Sequence, residues 1–400
     1  METKTYFITL KPIDTFFFGG ETTFNGGQKK NYFVQTEDFP QQTAILGMIR
    51  YQILANNNLL MSKKSTGSDE KCASLKVGAE SYSPESSKLD FGKIVSISPV
   101  FLYNEDTKEV AFYAPYDQAV MPKNLCTYPD ERYSLALEKS NIKVYSLQHQ
   151  EQKDFYKLIK KHKKKHEDYT SKDKIFNGFI SDNAQGKFLE YDDVFVKEER
   201  VGIVKKGGNR EDKEEGFYRQ VYNKMKNKAL CFAFYVELKD GHGLRHGEVF
   251  LGAERSIFHL DLCEVGQSSC KKTFDTVLDQ TFSQEAEAGI PNIKKIILIS
   301  HTWVKDMKEL KALLVAGVYK YSMHRFIQSN LTKTKNWVAM NRENHKIGNA
   351  LSKSKPYYML TPGSILYVHE NKLGDLKILL NNPSFQKIGY NYFYSLQPEL

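Results

Sequence analysis

The sequence predicts an α+β protein built from two sheet-and-helix units. Three observations carry this. Segments rich in β-branched and aromatic residues, such as Lys4–Leu10 and Ala229–Leu238, recur along the chain and read as strands. Segments with helical apolar spacing fall singly between them, near 43–56 and 304–315. Hydrophobic residues make up 40% of 400 residues, which supports real cores in two or three domains.

The elements follow in order. After the strand 4–10 comes a glycine-punctuated stretch, Phe16-Phe-Phe-Gly19-Gly20 through Gly26-Gly27-Gln-Lys29-Lys30, which reads as a long loop. Thr43 is the expected N-cap of a helix over 43–56, with Ala44, Ile45, Met48, Ile49 and Ile53 on its apolar face. Gly47 inside that helix costs ~1 kcal/mol against Ala and suggests close packing against a backbone or ligand. Residues 56–90 are rich in Asn, Ser, Lys and Gly and read as an insertion. Strands are expected over Ile94–Tyr103 and Glu109–Tyr113, joined by a turn at 104–108. Residues 130–195 read as a second insertion. It holds a helix-like stretch with Phe155, Leu158 and Ile159 on one side, running into the lysine-rich Lys157–His166. That run is expected to give sequence-independent, salt-sensitive attraction and no register. Strand patterning resumes at Val194–Val204, Phe217–Tyr222 and Ala229–Leu238. A turn-rich stretch, 239–247, marks the expected junction, giving units over 1–238 and 239–400. Beyond it a strand at Lys294–Ser300 precedes the helix 304–315, with Gly317 as candidate C-cap, and strands near 318–326, 356–360 and 364–369.

Charge and cysteine usage narrow the function class. No apolar run approaches the ~18 residues of a membrane span, and the N-terminus reads as a strand, so a cytoplasmic protein is expected. Five cysteines without a C-x-x-C pair argue against a disulfide framework or a zinc site. The net charge of +9 is consistent with a polyanionic partner. Arginine is scarce, at nine of 57 basic residues, yet Arg200, Arg210 and Arg219 fall within twenty positions. Together with Gly202, Gly207, Gly208 and Tyr218 they form a basic, hairpin-like element of cations for phosphates and flat side chains for bases.

Other signals carry less. His242-Gly-Leu-Arg-His246 lacks the glutamate of H-E-x-x-H, and its glycines oppose a helix. The acidic residues Asp168, Asp173, Asp192 and Asp193 sit in charge-rich segments and read as solvated. Trp303 and Trp337 read as core or interface. No P-loop occurs, and no cofactor is expected.

Six motifs stand in sequence: Pro12-Ile-Asp14 to Phe18, Phe39-Pro40, Gly47–Arg50, Arg200–Ile203, Glu215–Tyr218, and Leu251-Gly-Ala-Glu-Arg255, followed by Thr361–Tyr367 and Ile388-Gly389-Tyr390. Their order resembles the third subunit of the type III-B CRISPR (Cmr) complex, a Cas-five-like protein of the RAMP superfamily. Ala253 stands where relatives carry a second glycine, and no arginine lies in Phe18-Gly19-Gly20. The resemblance implies two ferredoxin-like (RRM-like) domains with long insertions. It implies a non-catalytic, RNA-binding subunit of an antiviral ribonucleoprotein that holds the repeat-derived 5′ tag of the guide RNA (crRNA). It also implies contacts with the large Cas-ten-type subunit and the Cas-seven-like backbone. The residues it points to for RNA are Gly19, Gly20, Lys29, Lys30, Arg50, Arg200, Arg210, Tyr218, Arg219 and Arg255. The rival readings are a guide-processing endoribonuclease of the related type and the equivalent subunit of a type III-A (Csm) complex. A nuclease wants a histidine base near a basic groove; all ten histidines lie at position 149 or later.

Overall fold

A computed structural model describes residues 2–24, 32–60, 66–86, 89–120, 132–139, 156–162, 165–168, 174–182, 188–204, 216–252, 254–267, 272–283, 292–328 and 352–396. It is a mixed α+β architecture of mostly antiparallel sheets. No helix among the described residues is long and apolar enough to cross a membrane.

The largest sheet is built around Leu230–Lys239. This strand is buried on both faces: Phe232, Phe234, Val236 and Leu238 enter one core, and Ala233 and Tyr235 another. It pairs with Thr3–Pro12 on one side, and with Phe101–Asn104 and Ile94–Ile97 on the other. Thr3–Pro12 then pairs with Ser256–Glu264, which forms a hairpin with the edge strand Gly247–Leu251. The helix Gln42–Asn56 covers one face through Ile45, Leu46, Ile49 and Ile53. The helix Phe274–Phe282 covers the other through Val277, Leu278 and Phe282. In chain order the unit runs strand 1 (Thr3–Pro12), helix, strand 2 (Ile94–Asn104, interrupted at Ser98-Pro99-Val100), strand 3 (Leu230–Lys239) and strand 4 (Ser256–Glu264). Their spatial order is 2-3-1-4.

A second sheet repeats this order. Ile293–Leu298, the helix Met307–Leu313, Leu314–Val318, Ile365–His369, the helix Leu373–Leu380 and Phe393–Ser395 form β-α-β-β-α-β, again ordered 2-3-1-4 and antiparallel throughout. Its core is Ile296, Leu298, Leu310, Leu366, Val368, Leu376 and Leu380.

The structure departs from several expectations. The stretch 239–247 is a turn within the first sheet, which continues through Glu264, because Ser256–Glu264 satisfies the free edge of Thr3–Pro12. The long loop expected after Phe18 contains a strand, Gly19–Phe24, paired with Tyr32–Thr36. The first helix begins at Gln42, ahead of Thr43; the buried Gln42 amide donates to Ile388 O and accepts from Val100 N, both at 3.0 Å, and pins the helix start. Asp306 caps the helix Met307–Leu313 by accepting from Lys308 N and Glu309 N, and Gly317 lies in the following strand, where it caps nothing. The lysine run is not helical. Its described residues, Tyr156–His162 and Lys165–Asp168, are antiparallel strands. Part of the 56–90 stretch belongs to the first core: Ala73, Val77 and Tyr82 are buried in it, on and after the Thr66-capped helix Gly67–Val77.

Candidate nucleic-acid interface

The basic element of the sequence is a hairpin in the structure. Phe195–Val204 and Gly216–Met225 pair antiparallel over ten residues. Tyr32–Thr36 runs parallel to the second strand, and Gly19–Phe24 closes this four-stranded sheet. Its base is anchored by Phe195, Val221, Tyr222, Asn223 and Met225, all buried. From Val196 to Val201 every residue of the first strand is exposed, so that strand stands out from the core as a ribbon.

The segment after the first strand fastens the ribbon to the main sheet. Phe16 exchanges two backbone hydrogen bonds with Asn223, at 2.8 and 3.0 Å. Phe17 N donates to Ser256 Oγ at 3.0 Å, and Phe18 N donates to Thr36 Oγ1 at 2.8 Å. The Phe17 ring packs with Val34 and Tyr222. Lys224 meets Asp14 at 2.7 Å, and Arg200 Nη2 donates to Thr15 Oγ1 at 2.7 Å. Gly252, in the turn before Ser256, has φ +83°, and a Cβ there would lie 2.5 Å from Phe17 O, so only glycine lets the two segments meet.

Two arginines of the ribbon lie over aromatic rings. The Arg200 guanidinium is 4.2 Å from the Tyr222 ring centroid and 3.3 Å from Glu198. The Arg219 guanidinium is 5.2 Å from the Phe33 ring and holds Glu199 through two nitrogens, one at 3.0 Å. Register puts them on opposite faces, because Arg200 pairs with Gln220 whereas Arg219 pairs with Val201. The ribbon therefore offers two arginine–aromatic pairs, one per face, each already partnered by a glutamate. The single basic surface expected from the sequence is divided.

The other predicted residues distribute as follows. Gly19 and Gly20 lie on the strand Gly19–Phe24, and a Cβ on Gly19 would meet nothing within 4 Å among the described residues. Tyr218 is in register with Tyr32 and Gly202. Arg255 turns left-handed (φ +52°) beside Gly252, and its guanidinium is 4.6 Å from the Phe250 ring. Lys29, Lys30 and Arg210 lie outside the described residues. Arg50 sits apart, in the helix Gln42–Asn56, 5.0 Å from the Phe91 ring. Its Nε and Nη2 are buried without a hydrogen-bond partner, and burial pulls its pKa down to about 10, which Asp90 partly offsets. Gly47, expected to pack closely, is exposed and has open space around it.

A buried polar knot behind the ribbon was not legible in the sequence. Tyr113 OH donates to Asp38 Oδ2 at 3.4 Å, and Tyr191 OH donates to Asn223 Oδ1 at 3.3 Å. Burial raises the Asp38 pKa; hydrogen bonds from Tyr191, Tyr113 and Asn223 and the Lys197 charge oppose the rise. The Lys197 ammonium is 5.0 Å from the Tyr191 ring. Only long-range pairing brings residues 38, 113, 191 and 223 together. By contrast Tyr222 and Gln220 could have been found by alternation along Gly216–Met225. His242 and His246 take separate partners: His242 Nδ1 accepts from Leu244 N, and His246 meets Asp261 at 2.9 Å. No group of three or more metal-ligating side chains occurs among the described residues.

Comparison with known proteins gives one family. The profile of a CRISPR-associated protein family, Cas_Cmr3, matches residues 8–398. No curated protein sequence matches. Among solved structures the chain is similar to one from Type III-B Cmr-beta bound to cognate target RNA and AMPPnP, at 13% identity over 97% of this chain and 95% of that one, with a TM-score of 0.44. It is also similar to one from Type III-B Cmr-beta bound to cognate target RNA, at 14% identity over 98% and 96%, with a TM-score of 0.43.

Proposed function

Because the chain belongs to the CRISPR-associated Cas_Cmr3 family, we propose that it is a non-catalytic, RNA-binding subunit of a type III-B CRISPR effector complex. In this reading it works in the cytoplasm, holds the 5′ tag of the guide RNA, and contacts the large Cas-ten-type subunit and the Cas-seven-like backbone. The observation that carries the RNA reading is the ribbon with Arg200 over Tyr222, Arg219 over Phe33, and the open Gly19 at its foot. Exposed cation–aromatic pairs suit single-stranded nucleic acid, since each supplies a phosphate partner and a flat surface for a base. The glutamates orient the guanidiniums and give way as a phosphate arrives, at a cost limited by solvent screening.

The 2-3-1-4 strand order, repeated in both sheets, supports two ferredoxin-like units; in the first, the hairpin strand Gly247–Leu251 stands where the second helix would be. We place their boundary after Glu264, where the first sheet ends. The ribbon and the segment Ile13–Phe18 hold no histidine, which favours holding RNA over cutting it.

Binding of tagged guide RNA by wild type and by the Arg200→Ala/Arg219→Ala variant tests the reading. The variant is expected to lower the slope of log K against log salt by about 1, at ~0.7 for each phosphate no longer neutralised, and to weaken the preference for tagged over untagged RNA. Unchanged slope and preference, or histidine-dependent cleavage of a guide precursor, would refute it.

A further inference from the structure

A second group of basic residues lies far from the ribbon. Lys93 N donates to Lys76 O, and Lys239 N donates to Lys93 O, so three lysines from a helix end, a turn and a strand stand side by side. Their ammoniums fan over the adjoining turns. Lys76 Nζ donates to Gly241 O at 2.5 Å, Lys93 Nζ to Asp240 O at 2.8 Å, and Lys239 Nζ to Gly92 O at 3.3 Å. Lys387 Nζ donates to Leu89 O and lies 5.1 Å from the Phe91 ring, against which Arg50 also rests. Among the described residues, no carboxylate comes within ion-pair distance of Lys76, Lys239, Lys387 or Arg50; Glu2, Asp90 and Asp240 are the acids of these turns.

Two further facts argue that this is more than a set of staples. A lysine ammonium has three donors, and a carbonyl takes one without neutralising the charge. The cations therefore stay charged and are held in place, which costs stability unless an anion arrives. Burial lowers the Lys387 pKa; the Asp90 charge opposes this, and the charge of Lys239 adds to it. On the ribbon, by contrast, Arg200, Arg219 and Lys224 each have a carboxylate within 4 Å.

The location is distinct. Lys239 pairs with Thr3 at the start of the first strand, whereas Phe258, next to the ribbon's anchor Ser256, pairs with Pro12 at its end. Ten strand residues separate the two surfaces by roughly 30 Å.

We propose that Lys76, Lys93, Lys239 and Lys387, gathered with Arg50 around the loop Leu89–Lys93, form a second surface for the phosphate backbone of single-stranded RNA. It takes RNA without regard to base. Phe91 is 1% exposed and offers no stacking face, and point charges read no sequence. Only the choice of RNA as the polyanion rests on the function proposed above.

The test replaces all four lysines by glutamine in the full chain, which keeps an N–H for each carbonyl and removes the charge. Binding of fluorescent oligouridine and oligoadenine RNA is measured against salt, beside wild type and the Arg200→Ala/Arg219→Ala variant. The glutamine variant is expected to lose about 3 from the slope, at ~0.7 for each of four neutralised phosphates, and at least about a hundredfold in affinity near 0.1 M salt, equally for both sequences. Photocrosslinking of thiouridine RNA to wild type is expected to map to peptides holding these lysines, which keeps the test valid if the variant misfolds. A slope unchanged in the glutamine variant and lowered in the ribbon variant overturns this surface and leaves the ribbon standing. The reverse result supports this surface and sinks the ribbon. Unchanged RNA binding together with loss of a copurifying subunit means the face takes an acidic protein, and the proposal fails. No RNA binding by wild type also overturns it.

Discussion

Acid should loosen the C-terminal unit through His324. This side chain ends the strand Tyr321–His324 and is buried beside His301, with ring centroids 4.5 Å apart. Its Nε2 is 2.8 Å from Ser322 Oγ, and its Nδ1 has no partner. Burial pulls its pKa down to about 4 from 6.5, and burial plus His324 lowers His301 further. A histidine depressed in the fold binds its proton more readily when unfolded, so its contribution is intact above pH ~6.5 and is lost as pH falls towards 4. The full effect of His324 is about 3 kcal/mol, and near pH 5 about 2 kcal/mol is already gone. Against a typical total of ~5–15 kcal/mol this is a large loss. Trp303 stacks on Phe385 in the cluster that holds Tyr390, whose ring is 6.1 Å from that of His324, and reports local unfolding in a Trp337→Phe background. Urea unfolding near pH 7.5 and pH 5, in wild type and His324→Leu, reads the contribution of His324 together with its effect on His301, because the titrations remote from this pair are shared. The stability difference between the two pH values is expected to shrink by about 2 kcal/mol in the variant. An equal pH dependence in both proteins would refute the assignment, whatever the variant's absolute stability.

Other outcomes follow from the same geometry. Asp38→Asn should stabilise the protein near neutral pH: a carboxyl raised in the fold favours folding at low pH and loses that advantage as pH rises, so the gap over wild type should widen from about pH 4 to pH 7, read by thermal melts. Gly252→Ala should cost about 2 kcal/mol or more, from the left-handed backbone and the contact with Phe17 O, whereas Gly47→Ala should add up to ~1 kcal/mol; a stabilised Gly47→Ala protein that no longer enters the complex would reveal a partner packed there. Arg219→Ala should leave stability nearly unchanged, since an exposed ion pair contributes little, so any loss of RNA binding by that variant is not a folding effect, as matched thermal melts check.

The sequence by itself determined the class of fold, most strands, and the family. Alternation and β-branched content mark Thr3–Pro12, Phe195–Val204 and Leu230–Lys239, since strand periodicity is written in consecutive residues. The motifs with glycine were legible because φ and close approach demand that residue locally: Gly252 beneath Phe17, and Gly389 with φ +91° against Ser98 O. The lysine run misled because helix and strand can be built from the same short apolar cluster, and only pairing with Arg132–Lys139 decides between them. Proximity was likewise beyond the sequence. Which face an arginine takes depends on register, which set Arg200 and Arg219 back to back although they lie nineteen positions apart. Which charges share a surface depends on chain returns such as Lys93 to Lys239 and Lys387 to Leu89, which gather Lys76, Lys93, Lys239 and Lys387 at the far end of the sheet, whereas Glu198 and Glu199 meet the ribbon's arginines within one hairpin. Local physical chemistry fixes what each segment can become; the tertiary fold alone sets which charges meet, because Coulomb energy depends on distance in space and not along the chain.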